Sequence, residues 1–271
     1  MSGKLWICVV SCQLLGSAGF QKVLHRCCRG CMAETEICKR ENNSLLLVDP
    51  GFRGEVTADW FVPEYWGSNG TPVDSGGRGG AWFISFKGQQ LVLREYLRGG
   101  LVSRIARRTY SYSGEQRVRS LSEFRLLQQL TLLGLPVPAP VAAWFQKVTP
   151  LQYQAAIIIE RIRNAVPLAD RIDALDNSGW HLLGQTIRRF HDSGVRHADL
   201  NCFNVLIADG VFFLIDFDKG RIMPPGARSA GWKNKNLNRL ARSLKKVACD
   251  ADLNTVWKIF LNGYEGGVVL E

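Results

Sequence analysis

Beyond residue 40 the chain carries only two cysteines, Cys202 and Cys249, so no disulfide framework holds its main body together. It has no repeat of fixed period and no low-complexity tract apart from a glycine cluster, SGGRGG at 75–80. Both absences exclude a solenoid or a fibrous architecture. Acids are scarce beside bases: 24 Asp and Glu stand against 34 Lys and Arg, leaving a formal charge of +10. That balance suits a polyanionic partner, whether nucleic acid, an anionic membrane or a phosphorylated substrate, and does not choose among them. What is present is an ordinary globular composition, 46% hydrophobic and 21% charged. The 271 residues suffice for two units of about 100–150 residues or for one domain with two lobes.

The other six cysteines all lie before residue 40. Cys28 and Cys31 form a C-x-x-C with His25 nearby, the spacing of half a zinc site, but no second pair follows at the usual distance, which disfavours a zinc role. The apolar stretch LWICVVSCQLLGSAGF at 5–20 resembles a short signal-peptide core and is too short to cross a bilayer comfortably. Met32 opens a more typical sequence, MAETEICKRENNSLLLVDP. Residues 1–31 are therefore expected to be a non-functional N-terminal extension.

The glycine cluster leads into AWFISF (81–86), a turn at Lys87-Gly88, and QQLVLREY (89–96), two strands of a tight hairpin. SLSEFRLLQQLTLL (120–133) puts Leu121, Phe124, Leu127 and Leu130 on one helical face, and Gly134 ends it. LPVPAPVA, with three prolines at alternate positions, reads as an extended connector, and YQAAIIIERI (153–162) as a buried strand. The mixed, polar run at 163–178 then crosses to a second half. There, a helix at 179–193 buries Trp180, Leu183, Ile187 and Phe190 and stops at Gly194. Another at 236–248 carries Leu237, Leu240, Leu244 and Val247 opposite four bases. The expected class is α+β, a strand-rich lobe over residues 32–160 followed by a helical lobe over 161–271.

The chemistry concentrates in HADLNCFNVLIADGVFFLIDFD (197–218). Asp209-Gly210 is a strong two-residue hairpin signal, and it sets Ala208 opposite Val211, Leu206 opposite Phe213 and Asn204 opposite Ile215. Asn204 and Asp216 then meet at the open end, close enough to share metal ions. With His197 and Asp199 the stretch reads H-x-D-x-x-x-x-N, a hairpin, then Asp-Phe, which resembles the catalytic loop and metal-binding segment of protein kinases. Phosphoryl transfer needs Mg²⁺ to neutralise phosphate oxygens and a carboxylate to take the acceptor's proton. Asp199 is thus the expected base, Asn204 and Asp216 the magnesium ligands, and His197 a brace for the loop. Upstream, Gly76, Gly77, Gly79 and Gly80 are expected to cover the phosphates of ATP. Arg94 takes the position of the usual strand lysine, keeping its charge and changing its geometry. Glu123 has two readings: the acidic partner of Arg94, or the closing residue of a capping box with Ser120.

HADLNCFNVLI, LIDFDKGRI, REYLRGGLVSRI (94–105) and the basic run at 232–246 together resemble the lipopolysaccharide kinase family, most closely its branch acting on 3-deoxy-D-manno-octulosonic acid (Kdo). The likeness spans about residues 50–255. Two departures separate the chain from protein kinases: Asp218 replaces the glycine of Asp-Phe-Gly, and Asn201 replaces a catalytic-loop lysine. The resemblance implies a two-lobed kinase-like fold and transfer of the ATP γ-phosphate to a Kdo hydroxyl on a lipid A precursor. It further implies a peripheral site at the cytoplasmic face of the bacterial inner membrane. The partners implied are the Kdo-lipid A glycolipid and an anionic membrane surface, not nucleic acid. Two rivals stand beside this reading. One is a soluble aminoglycoside- or choline-type kinase, whose cationic acceptors sit poorly with the basic balance. The other is an inactive membrane-binding scaffold, supported by Arg94 alone.

Overall fold

Unbroken apolar runs, LLLV at 45–48 and AAIII at 155–159, mark strands covered on both faces. The computed structural model describes residues 36–73, 80–97, 109–224, 231–248 and 252–267. Residues 1–31, with their cysteines, lie outside them. The main sheet uses β1 (Ile37–Glu41), β2 (Ser44–Val48), β3 (Gly70–Pro72), β4 (Ala81–Phe86), β5 (Gln89–Glu95), β6 (Tyr110–Ser111), β7 (Pro140–Thr149) and β8 (Gln152–Glu160). Their spatial order is β1-β2-β7-β8-β5-β4-β3, with β6 paired to β8.

Period-two alternation sorts the side chains between two cores. Leu45, Leu47, Ala143, Phe145 and Ile157 join one that continues into the second half of the chain. Leu46, Val48, Ile84, Leu91, Leu93 and Ile158 join the other. That outer core is closed by Trp60, Phe61 and Trp66, carried on the short 3-10 turns Ala58–Phe61 and Pro63–Asn69. Trp66 donates its indole N–H to the carbonyl of Trp60 at 2.9 Å, so burial leaves no polar atom of that ring unpaired. With Leu91 and Leu93 committed to the outer core, alternation turns Val92 and Arg94 to the inner face.

The inner face receives α1 (Arg119–Leu132), which buries Leu121, Phe124, Leu127 and Leu130 as the periodicity predicts. The prolines after it divide: residues 135–139 connect, while Pro140 opens β7, where a strand tolerates proline. The second half contains β9 (Val166–Pro167), α2 (Asn177–Asp192), β10 (Val195–Arg196), β11 (Val205–Ala208), β12 (Val211–Leu214), β13 (Arg221–Ile222), α3 (Gly231–Val247) and α4 (Leu253–Glu265). α3 begins five residues before the predicted start, because Trp232 is buried and extends the apolar face. α2 starts on an Asp176 cap that accepts the Gly179 N–H at 2.7 Å. It packs on α4 backbone to backbone: a Cβ on Gly184 would lie 2.1 Å from the Phe260 carbonyl, and one on Gly263 2.1 Å from that of His181.

Candidate active site

Two short strands and a turn present the loop at 197–204. β11 and β12 pair with Leu206 opposite Phe213 and Ala208 opposite Val211, around an Asp209-Gly210 turn whose φ values, 49° and 75°, are both positive. The Ile215 N–H donates to the Asn204 carbonyl at 3.1 Å, extending the pairing to the open end as the register predicts. There Asp216 adopts a left-handed conformation, φ 61°.

His197 is buried and braces the loop with both ring nitrogens. Nε2 meets the Ile215 carbonyl at 2.9 Å, and Nδ1 takes the Asp199 N–H at 3.1 Å. Burial pushes the imidazole below its ordinary range, so it stays neutral and keeps these roles. Asn201 fills the place of the missing lysine and is wholly occupied. Its amide donates to the Asp199 carbonyl and carboxylate, at 3.1 and 3.0 Å, while its oxygen accepts the N–H groups of Phe203 and Asn204. Asn204 donates to the Asp199 carbonyl at 2.9 Å. Asp199, nearly half exposed, thus has Oδ1 tied down and Oδ2 without a partner among the described residues.

From β5, Arg94 sets one guanidinium nitrogen on both Glu123 oxygens at 2.5 Å and the other on Asp216. Glu123 also accepts the Tyr96 hydroxyl at 2.5 Å and the Phe217 N–H at 3.1 Å. Of its two sequence readings the ion pair is realised. The helix begins at Arg119, which places Ser120 inside it, and the Ser120 hydroxyl donates instead to the Trp144 carbonyl at 2.9 Å. Burial raises the Glu123 carboxyl, and Arg94 opposes that rise. For Arg94, burial disfavours the charge, yet Glu123, Tyr96 and Asp216 hold its pKa well above the ordinary value. Burial pushes the Asp216 carboxyl up, but Arg94, with His197 and the Asp218 N–H, together hold it below its ordinary value. Asp218 pairs with Arg119, the first residue of α1, so two contacts tie this helix to the Asp216–Asp218 segment.

A third grip comes from α3 and has no counterpart in the sequence reading. Asn236 is buried and takes the backbone of His197 from both sides, donating to its carbonyl at 2.6 Å and accepting its N–H at 3.2 Å. Arg239 sets Nε on Asp199 Oδ1 at 2.5 Å, and the Ser243 hydroxyl accepts the Cys202 N–H at 2.9 Å. Positions 236, 239 and 243 share one helical face. The only sequence signal was a polar stripe flanking Leu237, Leu240 and Leu244.

Gly80 lies at the start of β4, where Ala81 pairs with Arg94, and a Cβ there would come within 2.7 Å of Leu97. Gly76, Gly77 and Gly79 lie outside the described residues. The oxygens of Asn204 and Asp216, with no thiolate among them, suit a hard cation such as Mg²⁺. Asn204 Oδ1 has no partner among the described residues. Among the described residues no group of three or more His, Cys, Asp or Glu is arranged to hold a metal ion. Buried Arg94 Nε and Asp218 Oδ1 also lack partners among the described residues, leaving one donor and one acceptor for a bound group.

Residues 63–264 match the lipopolysaccharide kinase (Kdo/WaaP) family. The 3-deoxy-D-manno-octulosonic acid kinase of Xanthomonas euvesicatoria pv. vesicatoria (strain 85-10) is 44% identical over 204 residues, 74% of this chain and 80% of the relative. That of Xylella fastidiosa (strain M12) is 39% identical over 228 residues, 83% and 90% of the two. Among solved structures, WaaP in complex with acyl carrier protein superposes with a TM-score of 0.51 at 17% identity, over 83% of this chain and 90% of that one. A glucosamine kinase in complex with glucosamine, ADP and inorganic phosphate gives 0.50 at 13%, over 82% and 69%. These two likenesses carry the fold alone, which is protein-kinase-like. The chain is a phosphotransferase and belongs to the lipopolysaccharide kinase (Kdo/WaaP) family.

Proposed function

We propose that the protein transfers the γ-phosphoryl group of ATP to a hydroxyl of Kdo on a Kdo-lipid A precursor, in the inner core of lipopolysaccharide. The carrying observation is Asp199, held by its loop through Oδ1 with Oδ2 open, on the same hairpin frame as Asn204 and Asp216. In this reading residues 32–160 hold the nucleotide and residues 161–271 hold the acceptor and the catalytic loop. Asp199 orients the acceptor hydroxyl and receives its proton at Oδ2. Arg94, fixed by Glu123, presents positive charge to the nucleotide phosphates, and Gly80 begins the strand beside it. Asn204 and Asp216 would hold Mg²⁺, which supplies neutralisation of the phosphate oxygens when bound.

The acceptor side is basic. From Gly231 to Val247, α3 carries Lys233, Lys235, Arg239, Arg242, Lys245 and Lys246 and no acid. Such a face attracts a phosphorylated, carboxylate-bearing glycolipid and an anionic leaflet, at about 1 kcal/mol per base near the surface. It repels the cationic acceptors of aminoglycoside-type kinases. Among the described residues no helix is long and apolar enough to cross a membrane, so contact with the inner membrane is proposed as peripheral. The test is transfer of labelled γ-phosphate to the Kdo-bearing lipid, beside the same lipid without Kdo and an aminoglycoside panel. Label on the Kdo lipid alone is expected, and label on an aminoglycoside would overturn the proposal.

A further inference from the structure

The catalytic loop holds no cation of its own. Asn201 stands two residues after Asp199, and all its hydrogen-bonding capacity goes into the loop backbone and the Asp199 carboxylate. A phosphoryl group in transfer spreads charge over its equatorial oxygens, and positive groups aimed at them are a large part of catalysis. Arg94 already pairs with Glu123 and Asp216, and of its nitrogens only Nε lacks a partner among the described residues.

Arg239 meets this need geometrically. It reaches the loop from α3 and contacts Asp199 through Nε alone, at 2.5 Å, not through the two-pronged grip that guanidinium and carboxylate usually adopt. Its Nη1 and Nη2 therefore have no partner among the described residues, and the side chain is 47% exposed. Holding the loop does not require it. Asn236 and Ser243, on the same face, already bind the backbone at His197 and Cys202. An ion pair this exposed adds at most about 1 kcal/mol to stability.

We propose that Arg239 is a catalytic residue whose Nη groups contact the γ-phosphoryl oxygens during transfer, in place of a loop lysine. The inference rests on the kinase reading above. In the step, the bond from the acceptor oxygen to the γ-phosphorus forms as the bond to the β,γ-bridging oxygen breaks. The acceptor proton passes to Asp199 Oδ2, ADP departs, and Arg239 keeps its protons throughout.

The experiment compares wild type, Arg239→Ala and Arg239→Lys in two measurements. The first is turnover on the Kdo-bearing lipid. The second is calorimetric affinity for MgADP alone and for MgADP with aluminium fluoride, a mimic of the planar transferred group. Expected for Arg239→Ala are a turnover about 100- to 1,000-fold lower, unchanged MgADP affinity and an aluminium fluoride complex weakened about 100-fold. Arg239→Lys should restore part of both losses. Equal weakening of both complexes, or turnover within twofold of wild type, would overturn the assignment. Should wild type label no acceptor, the proposed function fails by itself, while the fluoride complex still decides the role of Arg239.

Discussion

Glu123 joins three parts of the chain through one carboxylate: Arg94 and Tyr96 from β5 and the residue after it, α1, and the Phe217 N–H beside Asp216. It is 3% exposed, so its removal leaves a guanidinium and an amide with no solvent to replace it. Glu123→Ala should lower stability by about 3 kcal/mol in urea unfolding, because breaking a buried pair strands the remaining charge. A loss below about 1 kcal/mol would mean that Asp216 alone satisfies Arg94. The sequence left this residue with two roles, since Ser-x-x-Glu is a sound capping pattern. What decides between them is where the helix starts. Val118 occupies the cap position, Ser120 falls within the first turn, and Glu123 is free to pair with Arg94.

Among the elements, those built from local pattern were legible. The Asp209-Gly210 turn fixed the register of β11 and β12, and helical periodicity named every buried side chain of α1 and α2 that it claimed. The grip of α3 on the loop at 197–204 was not legible, because Asn236, Arg239 and Ser243 lie about forty residues from their partners. No short pattern joins them; only tertiary packing does. The same holds for Gly184, inside the predicted helix at 179–193, and for Gly263, in a helix that the sequence reading did not anticipate; both sit where α2 and α4 touch. Gly263→Ala must push its methyl group into the His181 carbonyl, and overpacking of this kind destabilises by about 2–3 kcal/mol. The expected fall in melting temperature is at least about 5 °C, read by calorimetry. A fall under about 2 °C would show that the helices separate without loss.

At the scale of the whole molecule, the second half closes around His191. Its Nδ1 meets the Tyr264 hydroxyl at 2.7 Å, its Nε2 faces Asn236 at 3.4 Å, and its ring packs edge-on against Trp232. Burial lowers its pKa from 6.5 to about 4, with Lys233 acting in the same direction and Asn236 and Asp192 against it. The unfolded chain therefore binds this proton as pH falls below 6.5, while the folded protein refuses it until about 4. Stability from this group is complete above pH 6.5 and is lost progressively toward pH 4, by up to about 3 kcal/mol. Urea unfolding at pH 7.5 and pH 5 should show the decline in wild type and a flatter profile in His191→Gln; parallel profiles would contradict it.

The central claim is that the loop at 197–204 performs phosphoryl transfer with Asp199 as the base. Asp199→Ala tests it most directly, measured as labelled phosphate reaching the Kdo-bearing lipid beside calorimetric affinity for MgATP. The claim predicts turnover reduced about a hundredfold or more with MgATP binding nearly unchanged. Turnover equal to wild type would contradict it.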